Sequence, residues 1–251
     1  MFFVSRLFAL LGLMPFVAVS EGPPLGEVPI LPLACEVSIA LSAAPESLQE
    51  EAGVFAFTEQ GYELVREAEN PFTCVVNRDH PAVLKPTCFD REGTRTVIPK
   101  IRYVGDQLLA GVETEALRRD LAAKFENGVF ESQGRAGVAY MLSRYNRPVN
   151  PQTGELGFFP PHVMFYAPNL TNEDIGHDMA HHDMSRPLPM IAYGGPQGYM
   201  IMISDDGTER SRADLDASCP DWVFDPDWVY GAEGAAPSSS ATTRESAHRQ
   251  P

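Results

Sequence analysis

Residues 176–184 read GHDMAHHDM and gather three of the chain's six histidines with two aspartates. Within them, His177-Asp178-Met179-Ala180-His181 has the spacing of the metalloprotease motif His-Glu-x-x-His, with aspartate in place of the glutamate. On an α-helix His177 and His181 share one face and offer two nitrogen ligands to Zn²⁺. Asp178 then stands where the general base belongs, but it is one methylene shorter than glutamate and reaches less far toward a metal-bound water. A third protein ligand is needed. The extended form of the motif does not supply it, because Met184 and Pro187 occupy the next positions, so the candidates are His162, Asp183 and Asp205. Thr171 and Asp174 can form a capping box at the start of such a helix, Gly176 weakens it and Pro187 ends it. His182-Asp183 spells the doublet of metal-dependent phosphohydrolases, without the further ligands those enzymes use. The competing reading is a polar loop whose histidines face water.

A second stretch, PHVMFYAP at residues 161–168, places a histidine, a methionine and two aromatic residues between prolines. Met164, Phe165 and Tyr166 alternate on a strand, so at least one of its faces joins the core; the segment offers a wall for an apolar pocket, while His162, which begins the strand after Pro160-Pro161, has the competing reading of a side chain that only bonds backbone. The chain has no Gly-x-Ser-x-Gly nucleophile elbow and no phosphate-binding loop, and Gly194-Gly195 before Pro196 reads as a turn. Asn169-Leu170-Thr171 matches a glycosylation sequon, which matters only in a eukaryotic secretory route.

The elements that must carry these residues follow from periodicity. Residues 36–42 have helical spacing, and PESLQEEAG opens a second short helix ended by Gly53. VFAFTEQGYELVREA reads as a hairpin turning at Glu59-Gln60-Gly61, and FTCVVNRD as a third strand. From Pro99, Ile101, Val104, Leu108 and Leu109 form one helical face. Leu117, Leu121 and Phe125 repeat it in a helix capped by Thr114 and closed by Gly128. Both helices read as structural, with a solvated charged face and no chemical role. GVAYMLS, PHVMFYAP, PMIAYGG and GYMIMISD return to strand patterns. Helices segregated from strands predict a single α+β domain with a largely antiparallel sheet and two to four helices.

At the front, Arg6 precedes an apolar run from Leu7 to Val19 that ends in small residues, the pattern of a signal peptide over residues 1–20. Leu33-Ala34-Cys35 resembles a lipobox only superficially, because Pro32 stands where leucine is wanted. Residues 21–34 are a Pro/Gly-rich leader, 35–205 the α+β domain, 206–230 an acidic arm with Trp222 and Trp228 as anchors, and 231–251 a disordered tail. Losing Arg6 takes the net charge of −15 to −16, which argues against nucleic acid as a partner. No segment of the mature chain is long and apolar enough for stable membrane insertion. Four cysteines in an exported chain read as disulfides: Cys74 and Cys88 as a local staple across two strands, with Cys35 and Cys219 left to pair or not.

The segments GYELVREAENPFTCVVNRD, PTCFDREG, GVAYMLS and PHVMFYAPNLTNEDIG together resemble a family of uncharacterised exported bacterial proteins, over most of residues 36–203. The resemblance implies secretion to the periplasm or beyond, a Cys74–Cys88 pair and one domain, and it assigns no activity. Two function classes remain. One is an exported binding or interaction module without a cofactor, taking a small molecule or protein at a pocket near His162. The other is a zinc-binding protein or metal-dependent hydrolase using His177, His181 and His162, with Asp178 as its base.

Overall fold

A computed structural model of the chain describes residues 28–81, 83–149, 156–181, 183, 188–205, 207 and 211–224. The signal segment, Trp228, His182 and the tail from 231 lie outside the described residues. Six α-helices and eight strands are present among them: α1 (Leu33–Leu41), α2 (Glu46–Gln49), β1 (Gly53–Thr58), β2 (Gly61–Arg66), β3 (Thr73–Asn77), β4 (Lys85–Phe89), α3 (Arg91–Thr96), α4 (Ile98–Leu109), α5 (Thr114–Glu126), β5 (Val138–Met141), β6 (His162–Tyr166), β7 (Met190–Tyr193), β8 (Tyr199–Ile203) and α6 (Asp221–Phe224). The fold is α+β. The helix count exceeds the two to four expected because α2 and α6 are four-residue turns, too short to show a period, and α3 carries no apolar stripe.

All eight strands form one open sheet in the order β2-β1-β3-β4-β5-β6-β8-β7. Every neighbouring pair is antiparallel except β1 with β3, which run parallel. The hairpin closes between Thr58 and Gly61, whose φ of 97° favours glycine. Alternation along the strands sends side chains to two separate cores. Val54, Cys74, Val76 and Cys88 pack with α1 and with Leu215, Cys219, Trp222 and Val223 of the C-terminal arm on one face. Phe57, Val75, Phe89, Ala139, Met141, Met164 and Ile201 pack with Val97, Ile98 and Ile101 on the other.

Two disulfides hold these layers. Cys74 and Cys88 are directly opposite in β3 and β4 and are bonded, and Cys35 of α1 is bonded to Cys219. Cys35 is therefore a structural cysteine in this fold and not the lipid-bearing residue of a lipobox. The fold also begins earlier than the leader boundary at 34: Leu31 is buried in the core and α1 starts at Leu33. Trp222 anchors the arm as expected, through its own burial and that of Val223. Thr114 is the first residue of α5 and not its cap; Glu113 holds that position and makes no side-chain capping bond. Gly128, with φ of 70°, follows the helix end.

A buried ion pair joins α1 to the sheet. The Arg78 guanidinium meets the Glu36 carboxylate through two bonds of 2.6 and 2.7 Å, both side chains are wholly buried, and Arg78 stacks over Phe57. Glu36 also accepts from the Phe57 N–H, and the Tyr62 hydroxyl donates to the Val76 carbonyl and accepts from the Arg78 N–H.

Candidate functional site

The helix that would align His177 with His181 does not form. Residues 172–176 are turns, Gly176 takes a φ of 69°, and only a single 3-10 turn, Met179–His181, follows. The local side chains explain this outcome. Thr171 and Asp174 do bond reciprocally as in a capping box, with Asp174 accepting from the Thr171 N–H at 2.8 Å and the Thr171 hydroxyl accepting from the Asp174 N–H at 3.3 Å. The chain then leaves the helical path at Gly176. Asp178 accepts from the Ala180 N–H at 2.9 Å and from the His181 ring at 2.5 Å, a local alternative to helical bonding. These bonds, the ring of His181 first, hold the Asp178 carboxyl below its ordinary range. Asp205, one of the proposed third ligands, pairs with Arg144 at 2.8 Å, and Asp183 is exposed. Among the described residues no three histidine, cysteine or acidic side chains come close enough together to hold a metal ion.

His162 lies elsewhere, in the wall of a cleft of about 690 Å³ between the sheet and helices α4 and α5. Strand register builds its floor. Phe89 pairs with Ala139, Ala139 with Met164, and Met164 with Ile201, forming one row across β4, β5, β6 and β8. The neighbouring row brings Met141 beside His162. The roof comes from Lys100, Ile101 and Val104 of α4 and from Leu121 and Phe125 of α5, with Tyr193 and Tyr199 closing the β7–β8 side. The periodic apolar stripes of α4 and α5, read from the sequence as core alone, thus also form cleft wall. This volume lies within the roughly 300–1,000 Å³ of small-molecule sites.

The electrostatics of the cleft are uneven. His162 is 4 % exposed, its Nδ1 sits 2.8 Å from the Pro160 carbonyl, and Phe159 meets its ring edge-on. Burial pushes its pKa down to about 4, against the pull of the Pro160 carbonyl, so the ring is neutral near pH 7, donates from Nδ1 and leaves Nε2 as an acceptor. Charge enters only on the β3–β4 side and along α4 and α5. Lys85 pairs with Asp79 at 2.5 Å, and Lys100 stands near both. Burial, then the Lys85 ammonium, push Lys100 down to about 8, while Asp79 pulls it upward. The ammonium of Lys85, and then that of Lys100, hold the exposed Asp79 carboxyl below its ordinary value. Burial raises the Tyr199 hydroxyl well above its ordinary value, so it stays protonated.

One polar atom in this wall is unsatisfied. Asn146 is 2 % exposed; its amide NH₂ donates to the Phe159 carbonyl at 3.3 Å, while its Oδ1 accepts from no group among the described residues. Comparison with protein-family models, curated proteins and solved structures finds no match to this chain. The cleft is therefore read from its own chemistry. Of its residues, His162 and Met164 are visible in the sequence through the PHVMFYAP segment. Asp79, Lys85, Lys100 and Asn146 are not, since they come from separate elements that only the strand register and the crossing of α4 bring together. One signal does mark them: the chain has only three lysines, and two of them line this cleft.

Proposed function

We propose that the protein is an exported binding module that holds a small molecule in the cleft between its sheet and helices α4 and α5. The observation that carries this reading is the cleft itself, about 690 Å³ lined largely by apolar and aromatic side chains with a few polar and charged groups among them. The signal-peptide pattern of residues 1–20 supports export, and the two disulfides suit an oxidising compartment. No helix among the described residues is long and apolar enough to cross a membrane.

The test fills the cleft. Ala122 of α5 and Ala192 of β7 line it and are both exposed, so a larger side chain at either enters the cleft without displacing core. The neutral fluorophore N-phenyl-1-naphthylamine should bind the native protein at one site, and Ala122→Trp and Ala192→Trp together should weaken it at least tenfold at unchanged melting temperature. A probe that ignores the native protein, or binds the filled variant equally well, would sink the reading.

A further inference from the structure

The ligand's chemistry is written in how the cleft divides. Toward β8 and β7 its lining is Ile201, Tyr199, Tyr193, Ala192 and Pro196, without a charged group. Toward β3 and β4 it holds Lys85, Lys100 and Asp79. Asp79 matches the Lys85 charge through their ion pair, whereas Lys100 has no ion-pair partner among the described residues, leaving one uncompensated positive charge at that end. Asn146 stands next to this end, because the antiparallel bridge between Leu84 and Arg147 sets its chain segment against that of Lys85. An apolar slot and a cationic end lie side by side. On a chain with a net charge of −15, this end is an exception to a surface that repels anions.

Resting on the binding-module reading, we infer that the cleft takes a single-tailed amphiphile with a carboxylate head. The tail lies along Met164, Ile201 and Tyr199, and the carboxylate faces Lys100 and Lys85. A fatty acid or an N-acyl amino acid has this arrangement of groups. A phosphate head fits less well, because its second negative charge has no counterpart once Asp79 is paired with Lys85. The charged groups acting on Lys100 are Lys85 from β4 and Asp79 after β3, and Arg118 and Glu126 from α5 line the same cleft; His162 from β6 is neutral above about pH 4. Lys100 loses its proton as pH rises past about 8, and the attraction goes with it.

The experiment is titration calorimetry of the full mature protein with four probes: N-dodecanoylglycine, its ester analogue O-dodecanoylglycolate, dodecanoate and dodecyltrimethylammonium. N-dodecanoylglycine, its ester analogue and dodecanoate should each bind one-to-one, since all three carry a carboxylate on a single tail. The cationic probe should bind weakest of the four. Lys100→Met should lower the affinity for N-dodecanoylglycine at least tenfold and remove its decline above about pH 8, and Lys100→Arg should keep the affinity and lose the decline. The paired change Asp79→Asn with Lys85→Met, neutral overall, should cost less than Lys100→Met, and it keeps the test open should Lys100→Met fail to fold. Equal binding of all four probes would overturn the inference while leaving the cleft a binding site. Failure of these probes together with N-phenyl-1-naphthylamine would remove the binding-module reading itself.

Discussion

The proton balance of His162 sets how the cleft tolerates acid. In the folded chain its pKa is near 4, whereas the unfolded chain restores it to about 6.5. Between those values the unfolded state binds a proton that the folded state refuses, so folding stability declines as pH falls from about 6.5 to about 4. The full difference amounts to about 3 kcal/mol. His162→Gln keeps a donor for the Pro160 carbonyl and has no proton to gain, so the variant should lose correspondingly less stability between pH 7 and pH 4.5 in urea titrations. Parallel losses in both proteins would show that His162 is not the buried neutral ring described. The same scale explains why the histidine-rich segment misleads. Residue types and spacing fit a zinc helix, but Gly176 at positive φ and the Asp178 bonds to Ala180 and His181 favour a turn. A motif counts residues, whereas a ligand set needs the backbone that aligns them.

At the scale of elements, Glu36 and Arg78 decide whether α1 stays on its sheet. Glu36→Gln would leave the Arg78 charge buried without its counterion, and breaking such a pair costs about 3–5 kcal/mol. Replacing both, as Glu36→Leu with Arg78→Met, should cost clearly less, because no orphan charge remains. Denaturant unfolding of the three proteins checks the order; a double variant less stable than Glu36→Gln would contradict it. Neither residue stands out in the sequence. Glu36 looks like an ordinary acid at the start of a helix, and Arg78 like a polar residue past a strand end. The elements themselves were largely legible: the β1–β2 hairpin, α4 and α5, and strands β5 to β8 all follow from period 2 or 3.6. α3 was not, since REGTRT has no apolar stripe and forms through the Asp90 side chain accepting from the Gly93 N–H. Strand order was not legible either. The parallel pairing of β1 with β3 is a tertiary choice that no local pattern announces.

Across the whole molecule, the two disulfides do different work because they close loops of different length. Cys74 and Cys88 are 14 residues apart and join neighbouring strands, so their bond restricts a segment that the sheet already organises. Cys35 and Cys219 are 184 residues apart, and their bond ties α1 to the arm that carries Trp222 across the first core. In the chain-entropy model the short loop is worth about 3 kcal/mol and the long one about 5 kcal/mol. Replacing both members of a pair by serine avoids a stray thiol and allows a direct comparison. The Cys35→Ser/Cys219→Ser protein should therefore be less stable than the Cys74→Ser/Cys88→Ser protein by about 2 kcal/mol. The cleft gives this contrast a functional consequence. It lies on the sheet face opposite α1, and among the described residues none of its lining belongs to the arm. Loosening the arm should therefore lower the melting temperature yet leave N-phenyl-1-naphthylamine binding intact at temperatures where the protein remains folded. A Cys35→Ser/Cys219→Ser protein that stays folded but no longer binds the probe would show that the two faces of the sheet are coupled, and that the arm shapes the cleft through the strands between them.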